Sequence, residues 1–304
     1  FAALLTACAY LTLLERRVFF FNDTATAEIY TGPNGLLQPV ADLVKLLFKE
    51  DLIPGHVDKT IYLLAPLAAF IPATLSFVVI PFGSTINLFG REINLVLSNF
   101  NVGLLYIFAV TSLGIYGVIL SGWASNSKYS LLGSIRSSAQ MISYEISMGL
   151  AVIGVVLITG SLNMNEIVKA QSGLWNIVLQ PVGFLIYLIC GIAETNRAPF
   201  DLPEAESELV AGYHTEYSAM KFGMFFVGEY ANIITISAIA ATLYLGGWQG
   251  PTDNPILSIV WFCIKTFIFV FFYLWLRATT PRFRYDQLMN FGWKILLPLA
   301  IANL

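Results

Sequence analysis

The sequence predicts an all-α integral membrane protein, a bundle of eight transmembrane helices. Hydrophobic residues make up 57% of the 304-residue chain and charged residues only 12%, about half the usual share of a soluble domain. The apolar residues also fall into eight long runs, and a helix needs roughly 20 such residues to cross a bilayer. We expect helices because lipid offers no hydrogen-bond partner to a free backbone N–H or C=O group.

The eight runs follow one another along a single membrane domain, residues 1–304. They lie at about residues 1–14, 60–82, 101–124, 140–160, 177–197, 219–247, 255–277 and 289–304. The chain begins and ends inside apolar sequence, so we expect the first and last spans to be truncated. Gly114, Gly117, Gly149 and Gly154 lie within these runs and predict close helix packing.

The distribution of basic residues predicts the orientation. Most of the sixteen lysines and arginines lie in the odd-numbered connections or at the helix ends beside them. The even-numbered connections hold Arg91 and Lys169, and Lys265 falls inside the seventh run. By the positive-inside rule, the odd-numbered loops face the cytoplasm and both termini face outward.

Residues 35–49, between the first two runs, carry apolar side chains at helical spacing. The apolar face consists of Leu36, Val40, Leu43, Val44 and Leu47. This pattern predicts an amphipathic helix at the cytoplasmic membrane surface. A helix packed on a soluble partner would show the same pattern.

Carboxylates inside the apolar runs are the first functional signal. Glu145 and Glu229 lie within the fourth and sixth runs, and Glu194 lies near the end of the fifth. An ionised group at the bilayer centre costs about 2.5–3.5 kcal/mol even on a lenient scale, so such residues usually face a bundle interior or a wet cavity. The alternative is a structural carboxylate, protonated or paired with arginine. Two of them beside an acid-rich loop favour a proton path.

That acid-rich loop, Glu194 to Val210, is the second signal. Pro199 and Pro203 break or restart a helix, and Pro203 suits the first position of a new one. The acidic residues after Glu194 are Asp201, Glu204, Glu206 and Glu208. Closely spaced carboxylates repel and titrate as a coupled set, so they can hold and pass protons. A solvated acidic loop is an equally good interpretation of composition alone.

Motifs for nucleotide or metal chemistry are missing from the sequence. It has no Walker loop, no G-x-G-x-x-G after a strand and no H-E-x-x-H. The three cysteines show no C-x-x-C spacing, and there are only two histidines. We therefore expect that this chain binds neither NADH nor a metal ion.

Five segments closely resemble the H-subunit family of respiratory complex I, the NADH-quinone oxidoreductase, whose mitochondrial member is subunit 1. They are residues 13–17, 35–42, 140–145, 194–210 and 281–289, in family order over nearly the whole chain. The resemblance implies a membrane subunit of a proton-translocating NADH:quinone oxidoreductase, without a complete active site of its own. It also implies a multi-pass protein of the bacterial plasma (inner) membrane.

The resemblance assigns roles to individual residues, none of them catalytic in the covalent sense. Residues matching the quinone chamber are Glu15, Arg16, Arg17, Arg136, Arg197, Asp201, Glu204, Glu206 and Glu208. Residues matching the start of a buried proton route are Glu145, Glu194, Glu216 and Glu229. Quinone would be a substrate at the interface with neighbouring subunits, with no NADH, FMN, metal or Fe–S cluster bound by this chain. The implied partners are the peripheral Fe–S and quinone-site subunits, the antiporter-like membrane subunits and lipid, with no nucleic acid.

Residues 18–34 depart from the family pattern. The family continues from Glu-Arg-Arg through a basic segment, whereas this run lacks those arginines and gains Asp23 and Glu28. We interpret 18–34 as a non-native segment, translated adapter sequence joined by an assembly error. Resequencing from the source DNA tests this hypothesis, and recovery of the same codons would refute it.

Two other classes of protein stay open. One is the homologous membrane subunit of a membrane-bound hydrogenase or formate hydrogenlyase, which shares the fold and several acids. Neighbouring reading frames for NADH-dehydrogenase or nickel-containing subunits would discriminate between them. The other is a stand-alone ion transporter, which often shows broken helices in paired halves. The sequence shows no such halves.

Overall fold

The fold is that of a computed structural model. It describes residues 2–19, 37–88, 91–93, 95–197, 199–201, 211–251 and 254–304, with only the main chain described at 16–19, 86–88 and 91–93. Most of the segment interpreted as non-native, residues 20–34, lies outside the described residues.

The first half of the described chain consists of long helices and one small hairpin. The elements are α1 Ala2–Phe19, α2 Gln38–Phe48, α3 Lys59–Leu75 with a 3₁₀ turn at Ser76–Val78, β1 Ile86–Leu88, β2 Arg91–Ile93, α4 Gly103–Ala124 and α5 Lys128–Thr159. The strands pair antiparallel, with Ile86 opposite Ile93. Apart from this hairpin, the regular structure of the described residues is helical.

The second half of the described chain is helical. Its elements are α6 Met164–Ala170, α7 Asn176–Leu179, α8 Pro181–Glu194, a 3₁₀ turn at Gly212–His214, α9 Ala219–Tyr244, α10 Pro255–Thr279, α11 Tyr285–Phe291, a π-helical turn at Gly292–Leu296 and α12 Leu297–Asn303. Proline occupies the first turn of α8, α10 and α12, where its missing N–H costs no helical hydrogen bond.

Five helices of the described chain are long and apolar enough to cross a bilayer. They are Lys59–Val78, Gly103–Ala124, Lys128–Thr159, Ala219–Tyr244 and Pro255–Thr279. Two shorter apolar helices cover Ala2–Glu15 and Pro181–Glu194. The prediction of a helical membrane protein is therefore confirmed in its class. The helix bounds differ from the predicted ones, since the fourth span was predicted to begin at residue 140 and α5 begins at Lys128.

Helix α9 is the centre of the bundle. It packs against α1, α2, α3 and α10, and also contacts α6, α7 and α8. Within the most apolar window of α9, 67% of the residues are buried, against 33% in α3 and α4. The polar side chains of α9 are therefore enclosed by neighbouring helices instead of facing lipid.

Helix α2 forms within the segment predicted to be amphipathic. Val40, Leu43, Val44 and Leu47 are exposed, while the helix contacts α1 and α9. Its apolar face therefore points away from the described bundle. Leu36, the first residue predicted for this face, lies outside the described residues.

Gly117 brings α3 and α4 into close contact. A Cβ added at Gly117 of α4 would lie 2.5 Å from the Ala69 backbone nitrogen and 2.8 Å from its Cα atom. At Gly154 an added Cβ would meet the movable end of the Gln180 side chain, 2.7 Å away, and at Gly114 and Gly149 it would meet nothing within 4 Å. Of the four glycines expected to mark close helix packing, Gly117 is the one at which two described backbones meet.

Replacing Gly117 with alanine is expected to lower the free energy of unfolding by about 1–3 kcal/mol, because two backbones must move apart. Gly149→Ala is the matched control, and its better helix propensity should be neutral or favourable by up to about 1 kcal/mol. Thermal unfolding of the purified protein measures both. Equal unfolding temperatures for the two variants would contradict the close contact.

Candidate functional site

A cavity of about 40 Å³ lies among α3, α4, α5, α8 and α9. Its lining includes the carboxylates of Glu145, Glu194 and Glu229, contributed by three different helices. One buried water needs roughly 10–15 Å³ measured in this way, so the cavity can hold about three waters. The structure therefore brings together three of the four residues assigned to the proton route.

Glu229 is held in place by two donors. Arg197 Nη2 donates to Glu229 Oε2 at 2.8 Å, and the Tyr213 hydroxyl donates to Oε1 at 2.6 Å. The guanidinium carbon of Arg197 lies 4.8 Å from the Tyr230 ring centroid and 5.1 Å from that of Phe226. The side chains of Arg197 and Glu229 are only 7% and 12% exposed. This is a nearly buried ion pair, and removing either partner would leave a costly isolated charge.

Glu145 has a different environment. It contacts the hydroxyl of Ser112, which also donates to the Phe108 carbonyl oxygen at 2.7 Å. A hydroxyl has one proton to donate. The hydroxyl can donate to an ionised Glu145, or donate to the Phe108 carbonyl oxygen while accepting from a protonated Glu145. Glu145 therefore keeps its Ser112 partner in either protonation state.

Glu194 ends α8 and has no ion-pair partner among the described residues. Its Oε2 atom is buried and makes no hydrogen bond within the described part of the chain. The same holds for the side-chain oxygen of Asn196, whose backbone has a left-handed φ of 52°. Both residues line the water-sized cavity. Buried polar atoms normally have partners, and water in this cavity can supply them.

A second, smaller cavity of about 10 Å³ adjoins the first. It is lined by Glu15, Thr195, Arg197 and Arg277 among others, and Thr195 lines both cavities. Glu15 is buried and contacts Arg277 and the Tyr230 hydroxyl. Arg197 thus lines the Glu15 cavity while binding Glu229 of the larger one. Glu15 is thus linked to the cluster of three glutamates through Tyr230, which it contacts, and through Arg197, which lies over the Tyr230 ring and pairs with Glu229.

Asp201 is also buried and pairs with another arginine. Arg282 Nη2 donates to Asp201 Oδ2 at 2.8 Å. The same region is fixed by Gln140, whose Nε2 atom donates to the Ala193 and Phe200 carbonyl oxygens at 2.8 Å each. Phe200 stacks on Phe283, with ring centroids 5.6 Å apart. The described start of the acidic loop is therefore anchored to the bundle and not freely solvated.

Two of the assigned residues lie apart from the cavities. Arg136 is on the extension of α5, with its guanidinium carbon 5.8 Å from the Tyr285 ring centroid. Glu216 lies in the loop before α9, where one carboxylate oxygen is 4.0 Å from His56 Nε2. Glu216 is not part of the glutamate cluster around the cavity.

The side chains of five further assigned residues are not described by the structure. The Arg16 and Arg17 side chains are not described, and Glu204, Glu206 and Glu208 lie outside the described residues. Within the described residues, no group of three histidine, cysteine or carboxylate side chains is arranged to hold a metal ion.

The structure adds residues that the sequence did not single out as site residues. Ser112, Tyr213 and Tyr230 each contact one of the carboxylates. Their signal in the sequence is weak, because tyrosine and serine are common in apolar helices. For Tyr230 the available signal was its position directly after Glu229 in the sequence.

His214 is a further polar neighbour of the cluster. Its ring is buried against Tyr213 and Phe222. Burial holds the pKa of His214 below its usual value, with Arg197 acting in the same direction and Glu229 opposing. The imidazole is therefore neutral at physiological pH and adds no second positive charge beside Arg197.

These features define a multi-helix membrane protein with buried, partly ion-paired carboxylates around water-sized cavities. Over residues 1–304 the chain matches the family model described as NADH dehydrogenase. It is 56% identical to an NADH-quinone oxidoreductase H subunit of Geobacter sulfurreducens, with 100% of this chain and 92% of the relative covered. It is 55% identical to the NADH-quinone oxidoreductase H subunit of Protochlamydia amoebophila, covering 98% of this chain and 91% of that relative.

The chain belongs to this family of NADH-quinone oxidoreductase H subunits. The resemblance carried by its five sequence segments is confirmed.

Proposed function

We propose that this chain is a membrane subunit of a proton-translocating NADH:quinone oxidoreductase, and that it couples quinone reduction to proton pumping. The observation that carries the proposal is the cavity lined by Glu145, Glu194 and Glu229, together with the Arg197–Glu229 ion pair, whose arginine also lines the cavity of Glu15. Buried ionisable groups inside membrane helices are expensive and usually mark ion or proton pathways. The names of the relatives, all NADH-quinone oxidoreductases, favour this enzyme over a hydrogenase or a stand-alone transporter.

Eight spans fit this proposal better than five. Besides the five long helices, α1, α8 and the continuous helical segment α11–α12 would each cross the membrane. The positive-inside pattern then places the odd-numbered loops in the cytoplasm of a bacterial inner membrane. The exposed apolar face of α2 would lie on the cytoplasmic surface of that membrane.

The quinone chamber would be built at the cytoplasmic end of the bundle, with quinone bound against neighbouring subunits. Glu15, Arg16 and Arg17 would stand at its entrance, and Asp201 with Glu204, Glu206 and Glu208 would respond to the redox state of quinone. Quinone reduction consumes protons, so these acids would change protonation or position. The change would reach Glu229 through its ion pair with Arg197.

The proton step itself would use the difference between the three glutamates. Glu229 is bound by Arg197 and Tyr213, Glu145 contacts Ser112, and Glu194 has no ion-pair partner among the described residues. Displacement of Arg197 during quinone reduction would release Glu229 from its ion pair. A proton could then pass between Glu145, Glu194 and Glu229 through cavity water. The resulting change in charge at the glutamate cluster would next act on the antiporter-like subunits, the expected partners in the membrane.

The first test uses membranes of a bacterial host that lacks its own H subunit and is complemented with this gene. Inhibitor-sensitive reduction of quinone by NADH is the expected result. Absence of activity would be followed by replacing residues 18–34 with a family-like sequence. Rescue would identify that segment as the defect, and continued failure with an assembled complex would contradict the proposal.

Replacing Glu145 with glutamine is expected to lower NADH-driven proton translocation about tenfold, since each tenfold corresponds to roughly 1.4 kcal/mol in the barrier. Glutamine fills the same space but cannot exchange a proton. Pumping is measured as acidification of inverted vesicles, and quinone reduction is followed in the same samples. Glu166→Gln, at an exposed carboxylate, is the matched control. Unchanged pumping and unchanged quinone reduction in Glu145→Gln would refute its proposed role.

A further inference from the structure

Lys265 is a buried cation at the opposite end of the bundle from Arg197. It is 7% exposed and belongs to α10. Its Nζ atom donates to three main-chain carbonyl oxygens, those of Leu245 at 2.6 Å, Gly247 at 3.0 Å and Gln249 at 2.6 Å. An ammonium group has three N–H donors and no acceptor. Three carbonyl oxygens therefore match the charged form of the side chain.

The turn after α9 is shaped to form this carbonyl cage, residues 245–249. Gly246 and Gly247 have positive φ angles of 70° and 52°, which glycine adopts without steric cost. Gln171 Oε1 accepts from the Gly246 N–H at 3.0 Å, and Gln249 Nε2 donates to the Val168 carbonyl oxygen at 2.7 Å. The cage is therefore fixed from several sides.

The charge of Lys265 is balanced by dipoles and a ring. The cage follows the C-terminal end of α9, where the helix dipole favours a cation. The Trp175 ring centroid lies 5.0 Å from Nζ. Among the described residues no carboxylate forms an ion pair with Lys265; Asp253 lies outside them. This end of the described bundle thus carries a fixed positive charge.

Buried hydroxyl groups extend from the glutamate cluster toward this charge. A Cβ added at Gly191, one turn before Glu194, would lie 2.9 Å from the Tyr273 hydroxyl. The Tyr187 ring lies 5.5 Å from that of Tyr244, the last residue of α9. The hydroxyls of Tyr244 and Tyr273 are buried without a hydrogen-bond partner in the described part of the chain. The Tyr187 hydroxyl donates to the Ile236 carbonyl oxygen at 3.1 Å. These three tyrosines form a hydroxyl strip between the glutamate cluster and Lys265, and a buried hydroxyl without a partner is a place where internal water binds.

We infer that Lys265 in its carbonyl cage is an electrostatic barrier that stops protons of the glutamate cluster from escaping through this hydroxyl strip to the outer face. This rests on the proposed function, which places the cage on the outer side. Fixed positive charges exclude protons from water-filled pores in the same way. A unit charge acting across about 10 Å of protein can change a proton's transfer rate roughly tenfold.

The test uses the whole complex containing this chain, purified and reconstituted into liposomes without NADH or quinone. An imposed potassium diffusion potential drives protons inward, and an internal pH dye reports their influx. Lys265→Met should raise this passive influx about tenfold, and Lys265→Arg, which keeps the charge, should not. Lys169→Met removes an exposed charge from the same face and is the matched control.

If the Lys265→Met complex assembles and its proton influx equals that of the wild type, the inference is overturned. This holds even if the variant has a lower unfolding temperature, since that result would give Lys265 a structural role only. If Lys265→Met does not assemble, Lys265→Gln carries the test, since it is neutral but keeps two N–H donors for the cage. The influx is measured without turnover, so it is independent of the proposed quinone reaction. Quinone reduction in a portion of the same sample reports separately on the proposed function.

Discussion

Replacing Arg197 with methionine is expected to abolish NADH:quinone reductase activity and to reduce the amount of assembled complex. Methionine fills part of the space between Phe226 and Tyr230 but leaves Glu229 without its cation. Breaking a buried ion pair from one side costs about 3–5 kcal/mol, because the remaining charge is uncompensated. Complex abundance is measured on native gels of membranes, and activity is measured per assembled complex.

Two further variants separate charge from geometry at this position. Arg197→Lys keeps the charge but loses the planar guanidinium that lies over two rings, so partial activity is expected. Arg284→Met is the matched control, since the Arg284 side chain is 79% exposed and exposed pairs contribute about 0–1 kcal/mol. Normal assembly and normal activity of Arg197→Met would contradict the importance of the Arg197–Glu229 pair.

The second large effect is expected for Glu15→Gln. Glutamine is nearly isosteric, but it leaves Arg277 without the buried carboxylate that it contacts. Quinone reduction should fall about tenfold or more, equivalent to at least roughly 1.4 kcal/mol of barrier, while proton leak stays unchanged. The rate of quinone reduction at saturating NADH, over a range of quinone concentrations, measures this effect.

The double variant Glu15→Gln/Arg277→Gln shows which part of the loss comes from separating Arg277 from the Glu15 carboxylate. Removing both charges removes this imbalance, so assembly should recover relative to Glu15→Gln. Activity should stay low if Glu15 itself serves the quinone chamber. Full recovery of activity in the double variant would assign Glu15 a purely structural role.

The sequence predicted the parts of this molecule that depend on apolar length and on rare charges. Long apolar runs determined the helical class, and glutamates in such runs stood out as expensive. The members of the glutamate cluster could therefore be predicted, because Glu145 and Glu229 lie in apolar spans and a carboxylate there has few alternatives to an interior position. Family resemblance supplied the roles, which no local pattern contains.

Pairings across the bundle were not predictable. The sequence suggested that some arginines would balance buried carboxylates, but not that Arg197 would contact Glu229 or Arg277 would contact Glu15. Such contacts depend on helix rotation, and one residue of rotation turns a side chain by about 100°. Glu216 illustrates the limit, since it matches the proton route by motif yet lies beside His56 in a loop.

The central position of α9 has a consequence for biogenesis. Among the five long helices α9 has the lowest mean hydropathy, and it is also the most enclosed. Such a segment leaves the translocon less readily than its neighbours, since its polar groups favour water over lipid until other helices cover them. Most of the helices that cover α9 precede it in the chain and are synthesised first. The order of the helices along the chain thus prepares a protein-lined site for the least lipid-soluble span before that span emerges.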